Sequence, residues 1–341
     1  MSRQFNHLRD ALETQCAELE DQPANTALHT LIAAGLDQLP LPGQGETHLR
    51  WQCLALVASR NLSLAKLYEG HTDAHAIIAE LGGVDIHEGS RWAIWAAEPP
   101  HAKVSLTRHA TDVRLHGRKA WCSGATTVTH ALVTCWATDR DPAQGPMLAA
   151  VAIDQPGVSV SSQGWHAVGM ADAASVEVAF DNAVANPIGD VGDYLARAGF
   201  WHGGAGVAAC WYGGAVGLAN TLRQRLTTRT EPHAAAHLGA VDVALSECAA
   251  LLRHTAHRMD QDPERCFQLQ AMRARASAER TATFVIDHVG RALGATPYCV
   301  DPVFARRVAD LPVFVRQSHA ERDLEVLGTL VASSEEASWW L

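Results

Sequence analysis

Over the first 86 residues, apolar positions recur with a helical period. In "FNHLRDALETQCAEL", Phe5, Leu8, Leu12, Cys16 and Leu19 return every three or four residues, as on one face of a helix. "TALHTLIAAGLDQL" continues that period until "PLPGQGET" breaks it with proline and glycine. "LRWQCLALVASRNLSLAKLYEGHTDAHAIIAEL" supplies one or two more apolar helices, ended by Gly82 and Gly83. Between about 87 and 190 the period shortens. "AKVSLTR", "TDVRLHG", "HALVTCWA", "MLAAVAID", "GVSVS" and "SVEVAF" are short β-branched runs split by turn residues, several alternating as half-buried antiparallel strands do. They predict an all-β unit, a barrel or a sandwich. From about 191 onward the period is helical again. In "HLGAVDVALSECAALLRHTA", Leu238, Val241, Leu245, Cys248, Leu252 and Thr255 form a narrow stripe suited to bundle packing. "RARASAERTATFVIDHVGRAL" predicts a second long helix. A third helical region, "DPVFARRVADLPVFVRQSHAERDLEVLGTLVA", is expected to break at Pro312. The tail "SSEEASWWL" is expected to be loosely attached, or to dock Trp339 and Trp340 on a partner subunit.

Composition narrows the class. A hydrophobic content of 48% with 19% charged residues describes a globular chain. The net charge of −10 disfavours nucleic acid or an anionic membrane as partner. The first residues carry acids and no apolar run, so they do not read as a signal peptide. The eight cysteines show no CxxC spacing and are expected to be reduced and mostly buried, in a cytoplasmic protein. Among the 18 histidines, His254 and His257 lie three apart with no carboxylate placed to help hold a metal; no metal site is expected. The run Gly203–Ala219 is apolar, but its glycines and short length argue against a membrane span. Its glycines permit either tight helix packing or the approach of a flat ligand, with Trp201 and His202 lining a substrate cavity.

Several motifs resemble those of the acyl-CoA dehydrogenase family. "AGLDQLPLPGQGE" is similar to an early Gly-Leu, Pro, Gly-x-Gly loop, and "WAAEPP" (95–100) to the loop that opens the β domain. "LHGRKAWCSGATTVTHALVTCWA" (115–137) is the best match, a Leu-x-Gly-x-Lys-x-Trp turn followed by a hydroxyl residue and a strand. "GMADAASVEVAFDNAVANP" and "RALGATPY" resemble the closing strand and a glycine-rich segment. The resemblance implies an α+β multidomain chain: an N-terminal helical domain (1–86), a central antiparallel β-barrel domain (87–190) and a C-terminal four-helix-bundle-type domain (191–341). It implies FAD, with Trp121 against the flavin ring, the Ser123 hydroxyl at N5, and the backbone of Ala96, Ala97 and Glu98 at the pyrimidine side. Arg291 and Gly294 fall in the glycine-rich segment, where Arg291 is expected to meet a phosphate. The substrate implied is an acyl group, thioester-linked in the family, and the assembly a homodimer or homotetramer.

The departures from the pattern bear on function. The Arg-x-x-Phe-Gly that grips the FAD diphosphate is replaced by "TTRTEPHAAAHLGAV", so FAD binding is expected to be weak or lost. Ser318 or His319 stands where the family's catalytic Glu removes the α-proton, and "GGAGVAACW", its other location, holds no carboxylate. His319, with an ordinary pKa near working pH, is the candidate base, and Ser318 stands beside it. Alternatively, His319 pairs structurally with Glu321 or Asp323. Arg316 reads as an ion-pair residue or a substrate clamp. Three functions stay open: an acyl desaturase, a flavin monooxygenase using His319, and a flavin-less homologue with a redox-neutral or binding role.

Overall fold

The structure is a computed structural model that describes residues 2–109, 112–162, 164–229, 231–334 and 339. The helical period of the N-terminal region gives α1 (Ser2–Glu18), α2 (Ala24–Ala33), α3 (Thr47–Arg60) and α4 (Leu62–Leu81). Asn61 separates the last two and caps α4, accepting the Leu64 N–H at 3.0 Å. The strands follow: β1 (Trp92–Trp95), β2 (Val104–Arg108), β3 (Val113–Cys122), β4 (His130–Ala137), β5 (Met147–Ala152), β6 (Val158–Val160) and β7 (Val176–Ile188). The chain then returns to helix in α5 (Asp193–Ala196), α6 (Gly199–Thr228), α7 (Pro232–Gln261), α8 (Gln268–Leu293), α9 (Thr296–Val300), α10 (Pro302–Phe314) and α11 (Glu321–Ser333).

Strands β4, β2, β3, β7 and β5 close into a ring, with β1 added to β4 and β6 to β7. The expected antiparallel barrel is corrected to a mixed one, because β1 and β2 both run parallel to β4. The strand in "WAIW" escapes a search for alternation, because it is short and three of its four residues are buried. Strands β4 and β5 are likewise covered on both faces. Ala131, Val133, Met147 and Val151 fill the barrel, while Leu132 and Leu148 pack outward on Ile77, Ile78 and Tyr194. Their near-continuous apolar runs are the consequence.

Helices from both ends of the chain share one core. Leu12, Leu28, Leu54 and Tyr68 pack in the same cluster as Trp211, Leu218, Val241, Val285 and Phe304. Within α6, the Ala/Gly run serves close packing: a Cβ added at Gly213 would lie 2.1 Å from the Ala55 carbonyl oxygen of α3. By length and composition α7 could cross a bilayer; Val241, Cys248, Leu252, Thr255 and Met259 are buried against α6 and α8, while most of its apolar stretch is not buried. His254 and His257 are on its exposed face. Pro312 does not end its helix; α10 continues to Phe314, and the break comes at Ser318–Ala320, where Ala320 has a φ of +50°. Six cysteines are buried and Cys266 and Cys299 exposed, all eight free. Trp339 is exposed, and Trp340 lies outside the described residues.

Because the α3–α6 contact is backbone against backbone, neither helix can yield by changing a rotamer. Gly213→Ala is expected to destabilise the protein by about 1–3 kcal/mol, read as a lower urea midpoint with unchanged slope.

Candidate functional site at the open end of the barrel

At one end of the barrel, β1 runs out into Ala96, Ala97 and Glu98, beside the end of β3. The Lys119 ammonium, fully buried, donates to Glu98 and also to the Thr134 carbonyl at 3.0 Å and the Thr134 hydroxyl at 2.6 Å. Thr134 Oγ1 donates to Glu98 at 2.5 Å and the Trp136 indole N–H at 2.9 Å. Burial works against the charge on Glu98, but these donors, Lys119 first, outweigh it and hold the carboxyl below its ordinary pKa. Burial pushes the Lys119 pKa down, and Glu98 opposes that shift. Every donor of the ammonium is used, so the group is an ion pair that locks the 96–98 loop to β3.

Two residues beyond Lys119, the β3–β7 ladder slips its register, and Trp121 sits in the irregularity with φ of +57°. Its side chain is 54% exposed. Left-handed backbone at a bulky residue costs on the order of 1 kcal/mol or more, and an exposed indole forgoes burial as well. Ser123 follows: its Oγ is 2.8 Å from Ser175 Oγ, and its carbonyl accepts the Trp95 indole N–H at 3.0 Å. Gly124 N–H then bonds the Ala173 carbonyl at 2.7 Å, and Met170 N–H bonds Asp310 of α10 at 2.5 Å. The barrel end is thereby tied to the helix that leads into the 317–319 turn.

Helix α4 faces this end. Lys66, Leu67 and Gly70 share a small cavity of about 10 Å³ with Ser123, Ile94 and Val128. Lys66, Glu69, Gly70 and Asp73 repeat at three and four residues, so they share one side of α4. Lys66 pairs with Glu69 at 3.0 Å. Asp73 is half-buried. A Cβ added at Gly203 of α6 would lie 2.5 Å from its Oδ1. Burial raises the Asp73 pKa, against the nearby Arg197. Arg275 of α8 lies over the Trp211 ring, 4.9 Å from its centroid. It bonds the carbonyls of Gly204 at 2.8 Å and Gln317 at 3.3 Å, joining the 317–319 turn to the start of α6.

The residues singled out from sequence thus divide. Ala96, Ala97, Glu98, Trp121 and Ser123 come together at the barrel end. Trp201 is half-buried against Phe200 at the start of α6. His202 is buried beside Gly43 and Phe267, with Nε2 unpartnered. His319 is exposed and held by Asp323, through Nδ1 at 3.3 Å and its backbone N–H at 3.0 Å. Ser318 is buried, its hydroxyl accepting the Ala320 N–H at 3.1 Å. Arg316 pairs with Glu279 at 2.5 Å, in a groove of 880 Å³ between α7, α8 and α11. Arg291 is exposed beside Asp287, and Gly294 ends α8 with φ of +66°. They stand about 24 Å or more along α8 from Arg275, away from the barrel end within one chain.

Asp37, His71 and His75 also cluster closely enough to suggest a metal. The hydrogen bonds argue otherwise. His71 Nδ1 accepts the Trp92 backbone N–H at 3.0 Å, so the ring proton is on Nε2, which faces Asp37 at 3.1 Å. A metal at Nε2 would need that proton moved to Nδ1, against the Trp92 N–H. The contact instead pins α4 to β1. Sequence reading missed Lys66, Glu69 and Asp73; charges at one-turn spacing within an apolar helix were the available signal.

Residues 97–183 match the family model for the acyl-CoA dehydrogenase middle domain. No curated protein matches the chain in sequence. Among solved structures, KijD3 in complex with FMN and dTDP-3-amino-2,3,6-trideoxy-4-keto-3-methyl-D-glucose has a TM-score of 0.81 at 19% identity, covering 96% of this chain and 93% of that one. Dibenzothiophene monooxygenase TdsC from Paenibacillus sp. A11-2 has a TM-score of 0.81 at 18% identity, with 99% and 100% covered. A nitrososynthase from Micromonospora carbonacea var. africana has a TM-score of 0.80 at 17% identity, with 98% of each chain covered. At these identities the likeness is one of fold. The chain thus shares the fold of these structures over nearly its whole length, and its centre is similar to the acyl-CoA dehydrogenase middle domain.

Removing the cation from the barrel end would strand a carboxylate. Lys119→Met is expected to cost about 3 kcal/mol in urea unfolding, and the added change Glu98→Gln should restore most of it.

Proposed function

We propose that the chain is a flavin-dependent oxidoreductase, and within that class a monooxygenase acting on a small molecule held between α4, the start of α6 and the barrel end. Trp121 carries this reading. A strained backbone that presents an indole to solvent is explained when a flat ring covers it. Ser123, aligned by Ser175 and Trp95, offers a hydroxyl beside that ring, and the backbone of Ala96, Ala97 and Glu98 borders it on the other side. Bound reduced flavin would supply two electrons, so that O2 delivers one oxygen atom to the substrate and the other leaves as water.

The residues fit the flavin ring better than they fit the FAD diphosphate. Arg291, the residue expected to meet a phosphate, is exposed and engaged by Asp287, which leaves a mononucleotide the better match. KijD3 and TdsC have each been solved with FMN. Acyl desaturation is the second reading. Its proton-abstracting carboxylate is absent from both family positions. His319, oriented by Asp323 at a turn joined to α6 through Arg275, is assigned as a proton-handling residue, with buried Ser318 fixing the turn. The assembly is proposed to be a homodimer or homotetramer in the cytoplasm; the exposed Leu324 and Val326 of α11, a helix with no buried residue, support a second copy.

Titration with FMN and FAD, oxidised and anaerobically reduced, tests the reading by flavin absorbance and fluorescence. FMN should bind, and Trp121→Ala should weaken it roughly tenfold or more. If neither flavin binds in either state, the reading fails; unchanged binding in Trp121→Ala removes Trp121 as the ring wall. His319→Ala should slow substrate-stimulated oxidation of reduced FMN by more than about tenfold with an unchanged melting temperature. Retained activity would make His319 a surface residue paired with Asp323.

A further inference from the structure

Two lysines reach the barrel end, and their hydrogen bonds differ. Lys119 has all three donors met, by Glu98 and by the carbonyl and hydroxyl of Thr134. Lys66 has one met, by Glu69 at 3.0 Å. An ammonium carries three donors and no acceptor, so among the described residues two donors of Lys66 are left without one. The group is largely withdrawn from water: its side chain is 15% exposed and that of Glu69 7%. An ion pair shut in this far contributes little to stability, because desolvation offsets the attraction. A further partner for the ammonium would explain it. The cavity that Lys66 lines gives the place. Its other walls include Gly70 of α4, Ile94 of β1, and Ser123 and Val128 beyond β3. Glu69 is not one of its walls, so the positive member of the pair borders the barrel end and the negative member does not. At about 10 Å³ the cavity holds one water-sized group. What enters it is therefore an atom at the edge of a ligand, with the body of the ligand outside. Ser123 on its wall stands two residues from the exposed Trp121.

We propose that Lys66 binds the flavin at a ring edge and makes the site favour the reduced, anionic form over the oxidised, neutral one. The inference rests on the barrel end being the flavin site of the proposed oxidoreductase. Two-electron reduction leaves the flavin ring with a negative charge at neutral pH, and a cation at its edge, in surroundings closed to water, favours the charged form. Lys66 supplies that cation together with its unused donors. Lys119 does not, because its donors are all used and Glu98 compensates its charge. Glu69 holds the ammonium on this side of α4 and tempers its charge.

The measurement is the affinity for FMN, oxidised in air and reduced under anaerobic conditions, and the ratio of the two across variants. The parent should bind reduced FMN more tightly. Lys66→Met should lower that preference by roughly tenfold, chiefly by weakening reduced FMN. Lys66→Arg, which keeps a cation, should retain most of it. Lys66→Met also strands the Glu69 carboxylate, so the double variant Lys66→Met/Glu69→Gln carries the same test with no charge left unpaired. It should melt at or above the parent temperature without flavin and show the same loss of preference. Glu69→Gln alone should raise the preference. A parent that binds oxidised FMN more tightly overturns the proposal. So does an unchanged ratio in the double variant, which would make Lys66 half of a structural ion pair, or an equal weakening of both forms, which would make it a general binding residue. These outcomes leave the flavin reading standing, since FMN still binds; if FMN binds in neither state, that reading falls and the proposal with it.

Discussion

The buried Lys119 ammonium organises the barrel end. It reaches from β3 to a carboxylate that follows β1 and to a threonine in β4, and so ties β3 to the β1–β4 pair, with which it has no ladder of its own. A charge in a barrel interior is tolerated only when every donor is met. Meeting them fixes the loop of Ala96, Ala97 and Glu98 against the end of β3. Two residues later the ladder slips, and Trp121 is turned out. The strain at Trp121 is bearable because the residues on either side, Lys119 and Cys122, are buried and cannot follow it.

Helix α4 has a comparable role on the facing side. One of its sides belongs to the barrel, through the His71–Trp92 bond and the packing of Ile77 and Ile78 on β4 and β5. An adjacent side carries Lys66, Glu69 and Asp73 toward α6. A helix shared by two packed units is a natural place for a ligand site, since the crevice between them is bounded on both sides by rigid elements. The glycines of α6 allow its close approach to α3.

The helical ends and the β middle were legible in the period of apolar residues, because a single face of each element meets the core. Lys119, Trp121 and Ser123 were legible as a motif, since all three lie within five consecutive residues of one strand end. The Lys66–Glu69–Asp73 side of α4 was not. Its charges sit at one-turn spacing, which reads equally well as a solvated face, and only the packing of α6 over them turns that face inward. The mixed strand directions were also hidden, because the direction of β2 relative to β4 depends on how the ring closes.

By itself the sequence determined which regions are helical and which are strand, that most of the thiols are buried, and that an indole and a hydroxyl stand two residues apart at the end of β3. Those are local matters, settled by periodicity and by neighbours in the chain. Tertiary structure decided that α4 faces that indole's end of the barrel, that His71 is a strut between helix and strand and not a metal ligand, and that Arg291 lies far along α8 from Arg275. Each of these depends on pairs of groups distant in sequence, whose hydrogen bonds and charges can be matched or left unmatched only once the helices have closed over the barrel.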